Sequence, residues 1–104
     1  MEQRERDIEQ NLVRMVKNRG GLCMKWVCPG WAGVPDRIVL LPGGHIIFVE
    51  LKRPTGGRVA ARQKYWKKKL TELGFIVLLV KNQGEIHDLS VLIDAIERGD
   101  DATL

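Results

Sequence analysis

Asp36, Glu50 and Lys52 are the residues of this chain whose types and spacing could do chemistry. Two apolar runs rich in β-branched residues, 36–41 and 45–52, flank Pro42-Gly43-Gly44, which reads as a hairpin turn. With those three residues as the loop, Leu41 faces His45, and counting outward from that pair brings Asp36 opposite Glu50. Directly opposed residues share a face of an antiparallel pair, with Cβ atoms roughly 5 Å apart. Like charges in that position are destabilising. A divalent cation between the two carboxylates resolves the conflict, because hard oxygen ligands suit Mg²⁺. Strand alternation places Lys52 on the face of Glu50, two residues along.

Such a trio suits attack on a phosphodiester. A metal ion polarises the phosphoryl oxygen and lowers the pKa of a bound water. A neighbouring lysine can orient or deprotonate that water, or neutralise charge in the transition state. The competing reading is an edge hairpin in which Lys52 simply pairs with both acids. The register and the Pro35-Asp36 step weigh against it.

The elements that must position these groups follow from pattern. Ile8, Leu12, Met15 and Val16 recur at helical spacing within a helix expected over 4–19, which Gly20-Gly21 stops. A strand is expected over 22–27 and a loop over 28–34, with Pro29, Gly30 and Gly33 as breakers. After the hairpin, 53–58 reads as a second loop and 59–73 as a helix closed by Gly74. A strand over 75–80 follows, then a last helix with Asp88 as its N-cap, running to about Arg98. The order αβββαβα describes an α/β fold, a mixed central β-sheet flanked by helices, in one domain spanning 1–104. The near-continuous apolar strands fit a sheet covered on both faces.

Composition agrees with a nucleic-acid partner without proving one. Lys and Arg number 17 against 13 acids, a net charge of +4, and a basic excess on a small domain favours polyanions. Cys23 and Cys28 are the only cysteines and read as buried, reduced thiols. No CxxC or HxxxH spacing supports zinc with His45 and His87. The charged start of the chain is no signal peptide, and no apolar stretch is long enough to span a bilayer. The expected place of action is intracellular.

Gly33-Val34-Pro35-Asp36, then Phe48-Val49-Glu50-Leu51-Lys52 and Gln63, resemble the VRR-NUC domain of the PD-(D/E)xK nuclease superfamily, in its stand-alone phage and bacterial form. The resemblance extends from Glu5 to about Val80. It implies a restriction-endonuclease-like core and Mg²⁺- or Mn²⁺-dependent cleavage. It also implies homodimers similar to Holliday-junction resolvases, the Leu51 carbonyl as a further metal ligand, and action in the cytoplasm of a bacterial or phage-infected cell. An acid on the first helix is implied as well. Relative to Ile8 at zero, the apolar residues span roughly −20° to 140°, with Glu9 at about 100° and Glu5 at about 60°. Geometry does not choose between them; the family spacing picks Glu9. Gln63 falls on the apolar stripe of Val59, Trp66, Leu70 and Leu73. A buried amide needs partners, and the resemblance places it in the active site.

Arg58, Arg62, Lys64, Lys67, Lys68 and Lys69 fill the other side of that helix, a stripe that could follow a phosphate backbone or merely be solvated. Arg37 and Arg53 are counted with Arg58, Arg62, Lys64, Lys67 and Lys68 as DNA contacts. Trp26 is expected in the core, whereas Trp31, in the loop before Asp36, is the aromatic candidate for DNA contact. The sequence therefore points to an endonuclease hydrolysing DNA, branched DNA such as four-way junctions included, with Asp36, Glu50, Lys52 and Gln63 as its catalytic set. Metal would be held by Glu9, Asp36, Glu50 and Leu51. The rival is a non-catalytic nucleic-acid-binding module on the same fold, which would have no need of opposed acids.

Overall fold

The computed structural model describes residues 5–52 and 61–99, the side chain of residue 5 excepted. Arg53, Arg58, Val59 and the loop expected over 53–58 lie outside the described residues. The elements are α1 (Glu5–Lys17), β1 (Leu22–Lys25), β2 (Arg37–Leu41), β3 (His45–Leu51), α2 (Ala61–Glu72), β4 (Ile76–Val80) and α3 (Gln83–Glu97). This is the expected αβββαβα order.

The four strands form one sheet in the order β1-β2-β3-β4. β2 runs antiparallel to both β1 and β3, while β4 joins β3 in parallel. That parallel pair needs a crossover, and α2 supplies it. The β2–β3 hairpin has the register expected from its turn, with Leu41 opposite His45 and Arg37 opposite Val49. Pro42 and Gly43 occupy the central positions of the turn. Gly43 has φ +86°, and the Gly44 N–H donates to the Leu41 carbonyl at 3.2 Å. Proline followed by a left-handed glycine is the chemistry of a type II turn.

Alternation along β2 and β3 sorts side chains between two unequal cores. Val39, Leu41, Ile47, Val49 and Leu51 face α1 and α3, where Ile8, Leu12, Val16, Leu89 and Ile93 close over them. Ile38, Ile46 and Phe48 face α2, where they meet Leu70, Val77, Trp26 and Phe75. Trp26 lies at 4.7 Å from Phe48 between ring centroids, as a core aromatic should. An Arg19–Asp94 ion pair at 2.8 Å joins the end of α1 to α3. The arginine's hydrogen bond holds the Asp94 carboxyl below its ordinary pKa.

Three expectations need correction. α3 begins at Gln83, not near Asp88, because Asn82 is the N-cap: its side chain accepts from the Glu85 N–H at 2.9 Å. Glu85 in turn accepts from the Lys81 N–H at 2.8 Å, satisfying a second donor at the helix start. Gly84 in that first turn disguised the start in sequence, and Asp88 is an exposed residue inside the helix. Leu73 belongs to no buried stripe; α2 ends at Glu72, and Leu73 is 65% exposed in the turn before Gly74. Cys23 and Cys28 are free but half-buried, not buried. Burial pushes the Cys23 thiol up to about 11, which keeps it protonated at neutral pH.

Candidate active site

Pro35 is buried and has no N–H to give a neighbouring strand, so the β2–β3 ladder stops at Arg37–Val49. Asp36 lies one step beyond that end. Its backbone carbonyl accepts from the Trp26 N–H at 2.9 Å, on the β1 side. That leaves the Leu51 amide at the edge of β3 without a backbone partner from β2. The Asp36 carboxylate takes it, Oδ2 accepting from the Leu51 N–H at 2.8 Å. A charge-assisted bond of this kind fixes the side chain beside β3. In an extended strand the N–H and C=O of one residue point toward the same neighbour. The Leu51 carbonyl is thereby directed to the Asp36 side as well.

Glu50 precedes Leu51 and alternates to the α2 face. It is only 8% exposed. A carboxylate that deep is costly without partners, and Gln63, on the first turn of α2, provides one: its Nε2 donates to Glu50 Oε1 at 3.0 Å. The amide on the apolar stripe of α2 is thus explained. Lys52 continues β3, its N–H donating to the Val80 carbonyl at 3.0 Å, and alternation puts its half-buried side chain on the face of Glu50. A cavity of about 220 Å³ opens here, lined by Pro35, Glu50, Gln63, Lys64, Lys67 and residues of β4. Glu50, Gln63, Lys64 and Lys67 therefore line one cavity beneath α2, and the exposed Asp36 is held by the Leu51 amide at the end of the hairpin.

Some expected members are elsewhere. Glu9 accepts from Arg37 Nε at 3.2 Å. Arg37 also donates to the Cys23 carbonyl at 3.2 Å, and its side chain is only 12% exposed. The reason is alternation: Arg37 follows Asp36 and must point to the opposite face, toward α1. The inward acid of α1 found a cation from β2 as its partner. Glu9 is thus engaged by Arg37, and both line an open groove together with Arg14, Lys17 and Lys25. Among the described residues no three acids, histidines or cysteines are grouped to hold a metal. Lys64 and Lys67 border the acid cavity rather than the far side of the helix; Lys67 is one turn from Gln63. Lys68 and Arg62 are exposed. Trp31 is exposed as well, and packs edge-on against Trp66 at 5.5 Å. Sequence reasoning missed the hydrogen bond from the Trp66 indole to the Ala32 carbonyl, 3.0 Å, which ties the loop before Asp36 to α2.

No family model matches the chain. A curated relative named "Putative nuclease p44", from Acyrthosiphon pisum secondary endosymbiont phage 1, is 43% identical over 93 residues, covering 89% of this chain and 95% of its own length. A solved structure described as a VRR_NUC domain superposes with a TM-score of 0.77 at 27% identity, covering 82% of this chain and 91% of that one. Sequence likeness over nearly the full length of a nuclease and shared architecture agree with the residues gathered beneath α2: the chain belongs to the VRR-NUC family of nucleases.

Proposed function

We propose that the protein is a metal-dependent DNA endonuclease whose hydrolytic centre is the cluster of Asp36, Glu50, Lys52 and Gln63. The observation that carries this reading is the pair of neighbouring carboxylates, each held by a hydrogen bond that aims it: Asp36 by the Leu51 amide and Glu50 by Gln63. A purely structural pair of acids at a strand end would relax apart into water. These two are fixed, and one is buried.

The donor set fits a hard divalent cation, Mg²⁺ or Mn²⁺, because it is all oxygen: two carboxylates and the Leu51 carbonyl. When bound, the cation would polarise a phosphoryl oxygen and acidify a water. The residues of the chain do the rest. Gln63 keeps one Glu50 oxygen engaged and so sets the rotation of the carboxyl group. Lys52, on the same face, presents an ammonium to the phosphate and stabilises negative charge as it builds. Lys64 and Lys67 at the cavity rim attract the phosphate backbone. Glu9 remains with Arg37, and its part is to hold the strand that carries Asp36.

The finer reading is a symmetric homodimer acting in the cytoplasm on branched DNA. A chain of 104 residues has limited core, and a two-fold pair is the commonest way to add burial. It would present two identical centres to a four-way junction with its own approximate two-fold symmetry. Backbone contacts would position the protein without reading bases. No helix among the described residues is long and apolar enough to cross a membrane.

The test is incubation of the pure protein with linear, flap and four-way DNA, with Mn²⁺ or with a chelator. Cleavage only with the metal, and strongest on the branched substrates, is the expected result. No cleavage of any substrate with Mn²⁺ would sink the reading. Equal cleavage of linear and four-way DNA by a monomer in light scattering would remove the junction and dimer parts alone.

A further inference from the structure

On the other flank of α2 from the acid cavity lies an aromatic shelf that hydrolysis does not use. Trp31 is 62% exposed in the loop that leads into Asp36. Its edge meets Trp66 at 5.5 Å between centroids with the rings at 73°. Trp66 is tied to the same loop through Ala32. Tyr65, 58% exposed, packs edge-on against Trp66 at 5.3 Å. The loop can lie this close because residue 33 is glycine. Its φ is +88°, and a Cβ there would stand 2.5 Å from the Arg62 Cβ. The result is an open concavity lined by Trp31, Arg62, Tyr65 and Trp66, with no acid among its lining residues.

Charge and shape together select the occupant. An indole and a phenol held out in water are an apolar surface of the kind kept for binding. Arg62 adds a cation beside them, and Lys64 and Lys67 continue the positive charge round α2 to the acid cavity. Fixed aromatic faces beside a cationic track are the pattern that holds single-stranded nucleic acid, since every base has a π-face to stack. Trp31 and Asp36 are five residues apart, and five residues reach at most about 17 Å. The shelf is therefore within reach, in a short run of nucleotides, of a strand seated at the acids. A base inside a duplex is already stacked on its neighbours and has no free face to offer.

We propose that the Trp31 shelf takes an unpaired nucleobase of the strand being cut, so that among branched substrates a flap, with a single-stranded segment next to the scissile phosphate, is preferred over the fully paired four-way junction. This rests on the nuclease reading of the acid cavity. The test is binding in a chelating buffer, where no cleavage is expected, followed by anisotropy of three labelled probes. They are an oligothymidylate, a blunt duplex of equal length, and a sugar–phosphate chain of equal length without bases. Trp31→Ala should weaken oligothymidylate binding about 5- to 150-fold, the range of a single base–aromatic stack. The duplex and the baseless chain should bind unchanged, and Trp31→Phe should restore most of the affinity. Equal affinity of wild type and Trp31→Ala for the oligothymidylate would overturn the proposal. So would an equal weakening on the baseless chain, which would mean that the indole supports only the electrostatics. Metal-dependent cleavage is read separately. A protein that binds through Trp31 but never cleaves loses the hydrolytic reading and keeps the shelf, and one that cleaves without Trp31 dependence loses the shelf alone.

Discussion

The two faces of the sheet are built to different ends. Beneath α1 and α3, thirteen buried apolar residues among those described form a continuous core that ties both helices to β2 and β3. Beneath α2, among the described residues, the buried apolar side chains are Phe48, Leu70 and Val77, and beside them lies a cavity with a buried carboxylate in it. The first face holds most of the buried apolar side chains, and the second holds the proposed hydrolytic groups. Alternation along two strands separates them. Asp36 and Glu50 lie on one side, while Arg37, Val49 and Leu51 lie on the other. A domain this small has little core to spare, so concentrating burial on one face leaves the other free to keep groups that burial would penalise.

If that division is right, the largest effect on the α2 face is on activity and not on folding. Glu50→Gln should lower cleavage about a thousandfold, the several kcal/mol that a bound cation contributes to the transition state. Its melting temperature should stay the same or rise, because one of two neighbouring like charges is gone. Asp36→Asn should do the same. Calorimetric metal affinity unchanged in both variants would break the assignment of that face.

On the other face the effect reverses. Ile93 is fully buried, and Ile93→Ala should cost about 2–5 kcal/mol in urea unfolding. Leu73→Ala, on an exposed side chain of similar size, should stay within about 0.5 kcal/mol. Similar costs from the two would mean that the α1–α3 face is not the main store of stability.

The smallest effect sharpens the comparison at the rim of the α2 face. Replacing Lys64, Lys67 and Lys68 with glutamine should flatten the salt dependence of duplex binding, by about 0.9 in the log–log slope for each phosphate no longer neutralised. A slope that stays the same would make those lysines a solvated surface.

The hairpin was legible in sequence because its information is local. A proline and two glycines set the turn, and the turn set the pairing out to Arg37 and Val49. The partner of Gln63 was legible only in part: a polar residue on an apolar stripe announces that it has a partner, but not that the partner is Glu50. The fate of Glu9 was not legible. The helical wheel showed an acid turned inward, yet its cation comes from Arg37, 28 residues away, and only the folded sheet brings them together. Family spacing favoured a metal for Glu9, whereas the ion pair with Arg37 follows from alternation next to Asp36. The true start of α3 was hidden by Gly84, a weak helix former, although Asn82 and Glu85 already had the spacing of a cap.

The turn at Pro42, Gly43 and Gly44 lies at the end of the hairpin away from the acids, yet it acts as the reading frame of the active site. A single residue inserted there and taken up as a slip of β2 against β3 would bring Arg37 opposite Glu50 and carry Asp36 out of phase. A guanidinium would then sit where the second carboxylate belongs, and the buried valines and leucines of β2 would turn to the wrong side. Two inserted residues taken up the same way would restore the faces but set Ile38 opposite Glu50, leaving Asp36 two positions out of register. An even slip should therefore spare the core while an odd one does not, but only the native register keeps Asp36 beside Glu50, five paired positions from the turn.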